Sequence, residues 1–144
     1  MTKNAVVVLL ALVVAALFLS GCHAQQLQYS PNEIANKDDA VKWVERLLRE
    51  QPAPNAPSEV EVTKEYFRSY TDKIVRSGAY GGITSHQVTT TVYFDNVKEL
   101  TLYQKKRLFT VVLLDNANVI AFRYFHYDVD KAKKFMDAVS ALKK

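Results

Sequence analysis

The residues able to do chemistry are few. Cys22 is the single cysteine of the 144-residue chain, and the histidines are His23, His86 and His126. One thiol supports neither a disulfide nor a thiolate metal cluster, so its use is decided by its flanks. No histidine has a second ligand at the spacing that sets two imidazoles on one helical face, and no metal is expected. Ser140 and Lys143 match a Ser-x-x-Lys string. That string falls at the end of an expected surface helix, without the desolvation that lets a lysine act as a base. Glu59 and Glu61 read as the solvent face of a strand rather than as an acid and base pair. The run Gly78-Ala79-Tyr80-Gly81-Gly82 lacks the Lys-Ser/Thr pair with which a glycine-rich loop holds phosphate. Catalytic, cofactor-binding and metal-binding residues are therefore expected to be absent, and the chain is not expected to be an enzyme.

Cys22 closes a segment of a different kind. Residues 5–19 carry no polar side chain and follow Lys3, which is the order of the basic and apolar regions of a secretory signal. A helix needs about 20 apolar residues to cross a hydrocarbon core, so this stretch is short for a permanent span. Leu19-Ser20-Gly21-Cys22 then resembles the lipobox of bacterial lipoproteins. The resemblance covers residues 1–22 and implies cleavage between Gly21 and Cys22. It also implies a diacylglycerol on the Cys22 thiol and an acyl chain such as palmitate on the new amino group. The implied partner is the membrane, held through the N-terminal lipid after export to the cell envelope. In a Gram-negative host the implied address is the periplasmic face of the outer membrane, because His23 stands where an aspartate often signals inner-membrane retention.

Charge narrows the other partners. The formal +4 of the whole chain falls by one when Lys3 leaves with the leader, and a mild positive balance favours anionic lipid headgroups. The basic residues are scattered. Their tightest clusters, Lys105-Lys106-Arg107 and Lys131, Lys133 and Lys134, read as a solvated turn and the polar face of a helix, so no nucleic-acid partner is expected.

The elements that position these residues follow from periodicity. Residues 23–37, rich in Gln, Asn, Ser and Pro, read as a flexible tether that reaches about 50 Å when fully extended. Asp38 or Asp39 is expected to cap a helix carrying Ala40, Val41, Trp43, Val44, Leu47 and Leu48 on one stripe. Pro52, Pro54 and Pro57 must end it. Period-two alternation from Val60 through Val62, Tyr66 and Phe67 predicts one strand reaching about Tyr70, and residues 77–85 predict a loop. From His86 onward four strands are expected, at 88–94, 97–102, 108–114 and 119–127, joined as a meander by turns at Asp95-Asn96, Gln104-Lys105 and 115–118. Asp128 or Asp130 then caps a helix with Ala132, Phe135, Met136, Val139 and Leu142 on one stripe. The fold class is α+β: an antiparallel sheet packed by a C-terminal amphipathic helix, with an additional N-terminal helix. The organisation is a signal peptide at 1–21, a lipidated N-terminus and tether at 22–37, and a single domain at 38–144.

Strands followed by one amphipathic C-terminal helix, from Val88 to Lys144, resemble pleckstrin-homology-like domains. The likeness implies a binding or scaffolding module. The strand at 119–127 sharpens the functional choice. Phe122 and Tyr124 share one face with Ile120 and His126, while Phe125 and Tyr127 share the other with Val119, Ala121 and Arg123. Either the N-terminal helix covers this surplus face with Trp43, or the face is a groove. A filled core points to a non-enzymatic, membrane-anchored module that binds an envelope protein. A continuous apolar cavity of several hundred Å³ points to a carrier or sensor of a lipid or other apolar small molecule.

Overall fold

Two apolar helical stripes and a run of alternating strands need one common interior, and the computed structural model, which describes residues 23–76 and 83–143, shows how they share it. The described chain is α+β. Its elements are β1 (Gln25–Leu27), α1 (Lys37–Arg49), β2 (Glu59–Val62), β3 (Tyr66–Arg76), β4 (Ile83–Tyr93), β5 (Val97–Lys105), β6 (Leu108–Asp115), β7 (Ile120–His126) and α2 (Val129–Leu142). The strands form two antiparallel sheets, one ordered β1-β5-β6-β7 and the other β2-β3-β4.

Both helices start where a short polar side chain can take up orphan amide groups. Asp128 caps α2 by accepting from the Asp130 N–H at 2.8 Å, as expected. The cap of α1 is Asn36 rather than Asp38 or Asp39, and its side chain accepts from the Asp38 N–H at 2.9 Å. The two aspartates instead occupy the first turn, where negative charge suits the helix dipole.

Three expectations about the strands are corrected. The single strand expected from Val60 to about Tyr70 is a hairpin, with Val62 opposite Phe67. Its turn holds neither glycine nor proline. The Thr63 hydroxyl makes it by accepting from the N–H groups of Glu65 and Tyr66, a side-chain turn that composition conceals. Second, the strands from Val88 to Tyr127 are not one meander. A 3-10 turn at Phe94–Asn96 carries the chain from one sheet to the other, because the Phe94 ring is wholly buried at that corner and its N–H is taken by the Glu65 carbonyl. Third, residues 25–27, expected within a flexible tether, form a strand on the edge of β5 that β4 leaves open, with Gln25 opposite Gln104 and Leu27 opposite Leu102. Of the loop expected at 77–85, residues 77–82 lie outside the described residues, and 83–85 begin β4.

The interior is held by aromatic contacts between layers. Phe135 of α2 stacks on Tyr124 of β7 with ring centres 4.2 Å apart, while Ala132, Met136, Val139 and Leu142 fill the rest of that face. Helix α1 lies beside α2 and buries Ala40, Val44, Leu47 and Leu48. Phe67 of β3 joins the two sheets by meeting Phe122 of β7 edge-on at 4.9 Å and Phe94 at 5.9 Å.

Replacing the stacked ring by Phe135→Ala is expected to lower the unfolding free energy by about 3 to 5 kcal/mol in chemical denaturation. The Tyr124 hydroxyl is buried without a hydrogen-bond partner among the described residues. Tyr124→Phe keeps the ring stack and is expected to change stability by no more than about 1 kcal/mol. A large loss in Tyr124→Phe would show that the hydroxyl, not the ring, holds the layers together.

Candidate functional site

Gly21 and Cys22, the expected cleavage and lipidation residues, lie outside the described residues. The chain just after them is fastened to the domain. Following β1, the Tyr29 hydroxyl donates to Asp137 Oδ1 at 2.7 Å, and the Asn32 backbone N–H donates to the same oxygen at 2.7 Å. Asp137 sits in the middle of α2 and is only 5% exposed. An isolated buried carboxylate costs several kcal/mol, and charge-assisted hydrogen bonds offset that cost. Asn32 also donates to the Tyr29 hydroxyl at 2.9 Å, and the Lys133 ammonium lies 5.5 Å from the centre of the Tyr29 ring. The segment is thus a strap closed over the last helix. Burial and the neighbouring Asp137 carboxylate push the Tyr29 phenol up to about 12.

A groove lies between the two helices. Trp43 of α1 is half-buried there, with the Arg46 guanidinium 5.3 Å and the Lys134 ammonium 5.1 Å from its ring. The groove measures about 320 Å³ and is lined by Trp43, Leu47, the basic residues Arg46, Lys131 and Lys134, and the acidic residues Glu50 and Asp130. Glu50 bonds Lys131 across it at 2.8 Å and Arg46, one turn back on its own helix, at 2.9 Å, and these two cations hold its carboxyl below the usual range. The pattern Trp43, Arg46, Leu47 and Glu50 is legible as one helical stripe. Its meeting with Lys131 and Lys134 depends on how the helices pack.

The free edge of β7 is met by Gln51, and Gln51, Asn55 and Pro57 share a cleft with Arg123 and Phe125 of its second face. The Gln51 side chain, 5% exposed, accepts from the Phe125 N–H at 3.1 Å and so covers part of an edge strand. A cleft of about 150 Å³ with mixed polar and apolar lining opens here between the two sheets. Ser69, Thr71 and Lys73 of β3 face it at alternate positions, with Thr90 and Val88 opposite Ser69 and Thr71 in register, and Phe122, Arg123 and Phe125 close it. The period-two series from Phe67 to Lys73 marks this face in the sequence. Arg123 joins it only because the sheets converge.

The remaining candidates take structural places. His86 stands opposite Lys73 in the β3–β4 pair, while His126 Nδ1 accepts from the Asp128 N–H at 2.9 Å. Burial and the nearby Lys131 lower the His126 pKa, consistent with a neutral acceptor. No group of three or more His, Cys, Asp or Glu residues with metal-binding geometry occurs among the described residues. The Lys143 ammonium donates to the Lys98 carbonyl at 3.0 Å, and Glu61 bonds the Tyr66 hydroxyl and Arg68.

The strap yields a pH test. Because folding raises the Tyr29 pKa, its contribution is complete below about pH 10 and is lost as pH rises toward 12. Hydrogen exchange at 25–34 is expected to accelerate over that window ahead of exchange in β6. Tyr29→Phe is expected to show fast exchange there already at neutral pH and to lose about 1 to 3 kcal/mol of stability.

No family model, no curated protein and no solved structure matches the chain, so the likeness to pleckstrin-homology-like domains rests on the order of its elements alone.

Proposed function

We propose that the chain is a lipoprotein anchored in the cell envelope through acylated Cys22, and that its domain is a non-enzymatic module that binds a protein partner. The observation that carries the binding reading is the groove at Trp43. A half-buried tryptophan between two cations offers apolar area together with directional charge, the combination found at the energetic centres of protein interfaces. Three cations against the two carboxylates of Glu50 and Asp130, with Lys134 bonded to neither in the ion pairs of the groove, suit a segment that presents an apolar side chain beside a carboxylate. A lipid or apolar-ligand carrier would need a continuous apolar interior space, whereas the cleft between the sheets is about 150 Å³ and mixes hydroxyls, two amides and two cations with Val88, Phe122 and Phe125, and the larger Trp43 groove is open at the surface and edged by charged residues.

The anchor reading is supported by residues 19–22 together with the apolar segment before them. Each acyl methylene inserted into a bilayer contributes about 0.8 kcal/mol, so two or three long chains on one residue hold a protein without a spanning helix. No helix among the described residues is long and apolar enough to cross a membrane.

Two measurements test the halves separately. Wild-type protein is expected in the carbonate-resistant membrane fraction with acyl mass on its N-terminal peptide, and Cys22→Ser is expected to lose that mass. Soluble protein at the unmodified mass of residues 22–144 overturns the anchor. For the binding half, tagged wild type, Trp43→Ala and Lys134→Glu are purified from detergent-solubilised envelope, with proteins and lipids both quantified. A protein recovered with wild type and depleted with both variants supports the module. A stoichiometric lipid retained by all three, with no co-purifying protein, supports the carrier instead. Thermal melts of the variants check that the domain remains folded.

A further inference from the structure

The strap fixes where the anchor leaves the domain. Gln25 lies opposite Gln104 near the end of β5, so only His23 and Ala24 separate it from Cys22, a reach of about 10 Å when extended. The same end of the sheet carries the β5–β6 hairpin tip. Its turn is Lys106-Arg107, two residues later than the expected Gln104-Lys105, with Lys105 opposite Leu108 and Lys106 at φ 57°. Lys105, Lys106 and Arg107 are all exposed there.

The triad has aromatic company. Phe109 stands opposite both Gln104 and His126, and Tyr127 follows β7 at 63% exposure. Together with Lys106 and Arg107 they line an open slot of about 500 Å³ across the strand ends. Cations beside a tyrosine at the rim of a sheet suit the headgroup layer of a bilayer, where an amphipathic ring and a basic side chain are both favoured. Asp128 and Asp130 sit at the same end, with the Asp128 carboxylate taken up by the Asp130 N–H at the start of α2. The opposite end of the sheet presents the turn at 116–118, where Asp115 accepts from the Ala117 and Val119 N–H groups.

We propose that the hairpin tip Lys105-Lys106-Arg107, with Tyr127, is a docking surface for anionic phospholipid headgroups of the bilayer in which Cys22 is anchored. The inference rests on the lipoprotein reading and deepens it. The domain then lies against the membrane on one defined end instead of hanging from a long tether.

The test uses the acylated full-length protein reconstituted in phosphatidylcholine vesicles with and without phosphatidylglycerol. Acylation consumes the Cys22 thiol, so an introduced cysteine is unique. A fluorophore is placed by Gln104→Cys at the tip or by Ala117→Cys at the opposite end, and quenching by headgroup-nitroxide lipid is measured. Each basic side chain near an anionic surface strengthens attraction by about fivefold, the two aspartates offsetting part of it. Quenching at position 104 is expected to exceed that at 117 severalfold in the anionic vesicles. The excess is expected to fall when phosphatidylglycerol is omitted, when salt screens the charges, and in the variant Lys105→Gln, Lys106→Asn, Arg107→Gln, whose asparagine tolerates the positive φ. A 104-to-117 difference that is absent, or indifferent to lipid charge, salt and the triad, overturns the docking surface. Intact mass on the same preparation reads the acylation independently, so failure of the anchor and failure of the docking surface are told apart.

Discussion

Asp137 is a carboxylate 5% exposed in the middle of the last helix, and its two hydrogen-bond donors come from residues more than a hundred positions earlier. A charge in that position must be satisfied, and the helix's own backbone amides are already committed to the helix. Tyr29 and Asn32 supply the donors, so the N-terminal segment is drawn over α2 and β1 is set against β5. A polar residue within a largely apolar helix thereby closes the chain's two ends on each other. It also shortens the free connection to Cys22 from a long tether to a few residues.

With β1 on one side of β5, the remaining strands partition around buried rings. Phe94 turns the chain from β4 into β5, and Phe67 packs between Phe94 and Phe122 so that the smaller sheet leans on the edge of the larger one. Their convergence is apolar at its base and polar outward, because β3 runs from Phe67 through Ser69 and Thr71 to Lys73 on one face. Gln51 contributes at the same edge by bonding both the Leu48 carbonyl and the Phe125 N–H, which ties the end of α1 to β7.

The two helices are joined by charge as well as packing. Glu50 reaches Lys131 and Arg46, and Lys134 and Arg46 flank Trp43. Half-exposed pairs of this kind contribute little to stability. Their consequence is shape and sign: an apolar floor with a rim in which three cations outnumber two carboxylates. The basic hairpin tip is a separate feature. It owes its place to sheet register, whereas the groove owes its place to helix packing.

Local sequence determined what local physics controls. The apolar stripes of both helices, the cap at Asp128, the proline stop after α1 and the strands of β5 to β7 were all legible from period and turn chemistry, as was the α+β class. Residues 19–22 carry a recognisable motif because it is read as linear sequence, without a fold. The candidate surfaces were legible only as halves: Trp43 with Arg46 on one stripe, and Lys105-Lys106-Arg107 in one turn. What joined the halves was tertiary. Thr63 made a turn that composition hides, Phe94 split a meander by burying its ring, and Asp137 recruited Tyr29 from a segment whose polar composition otherwise reads as unattached chain. Each of these depends on what a side chain meets across the fold rather than on its neighbours in sequence, and periodicity carries no record of such a meeting.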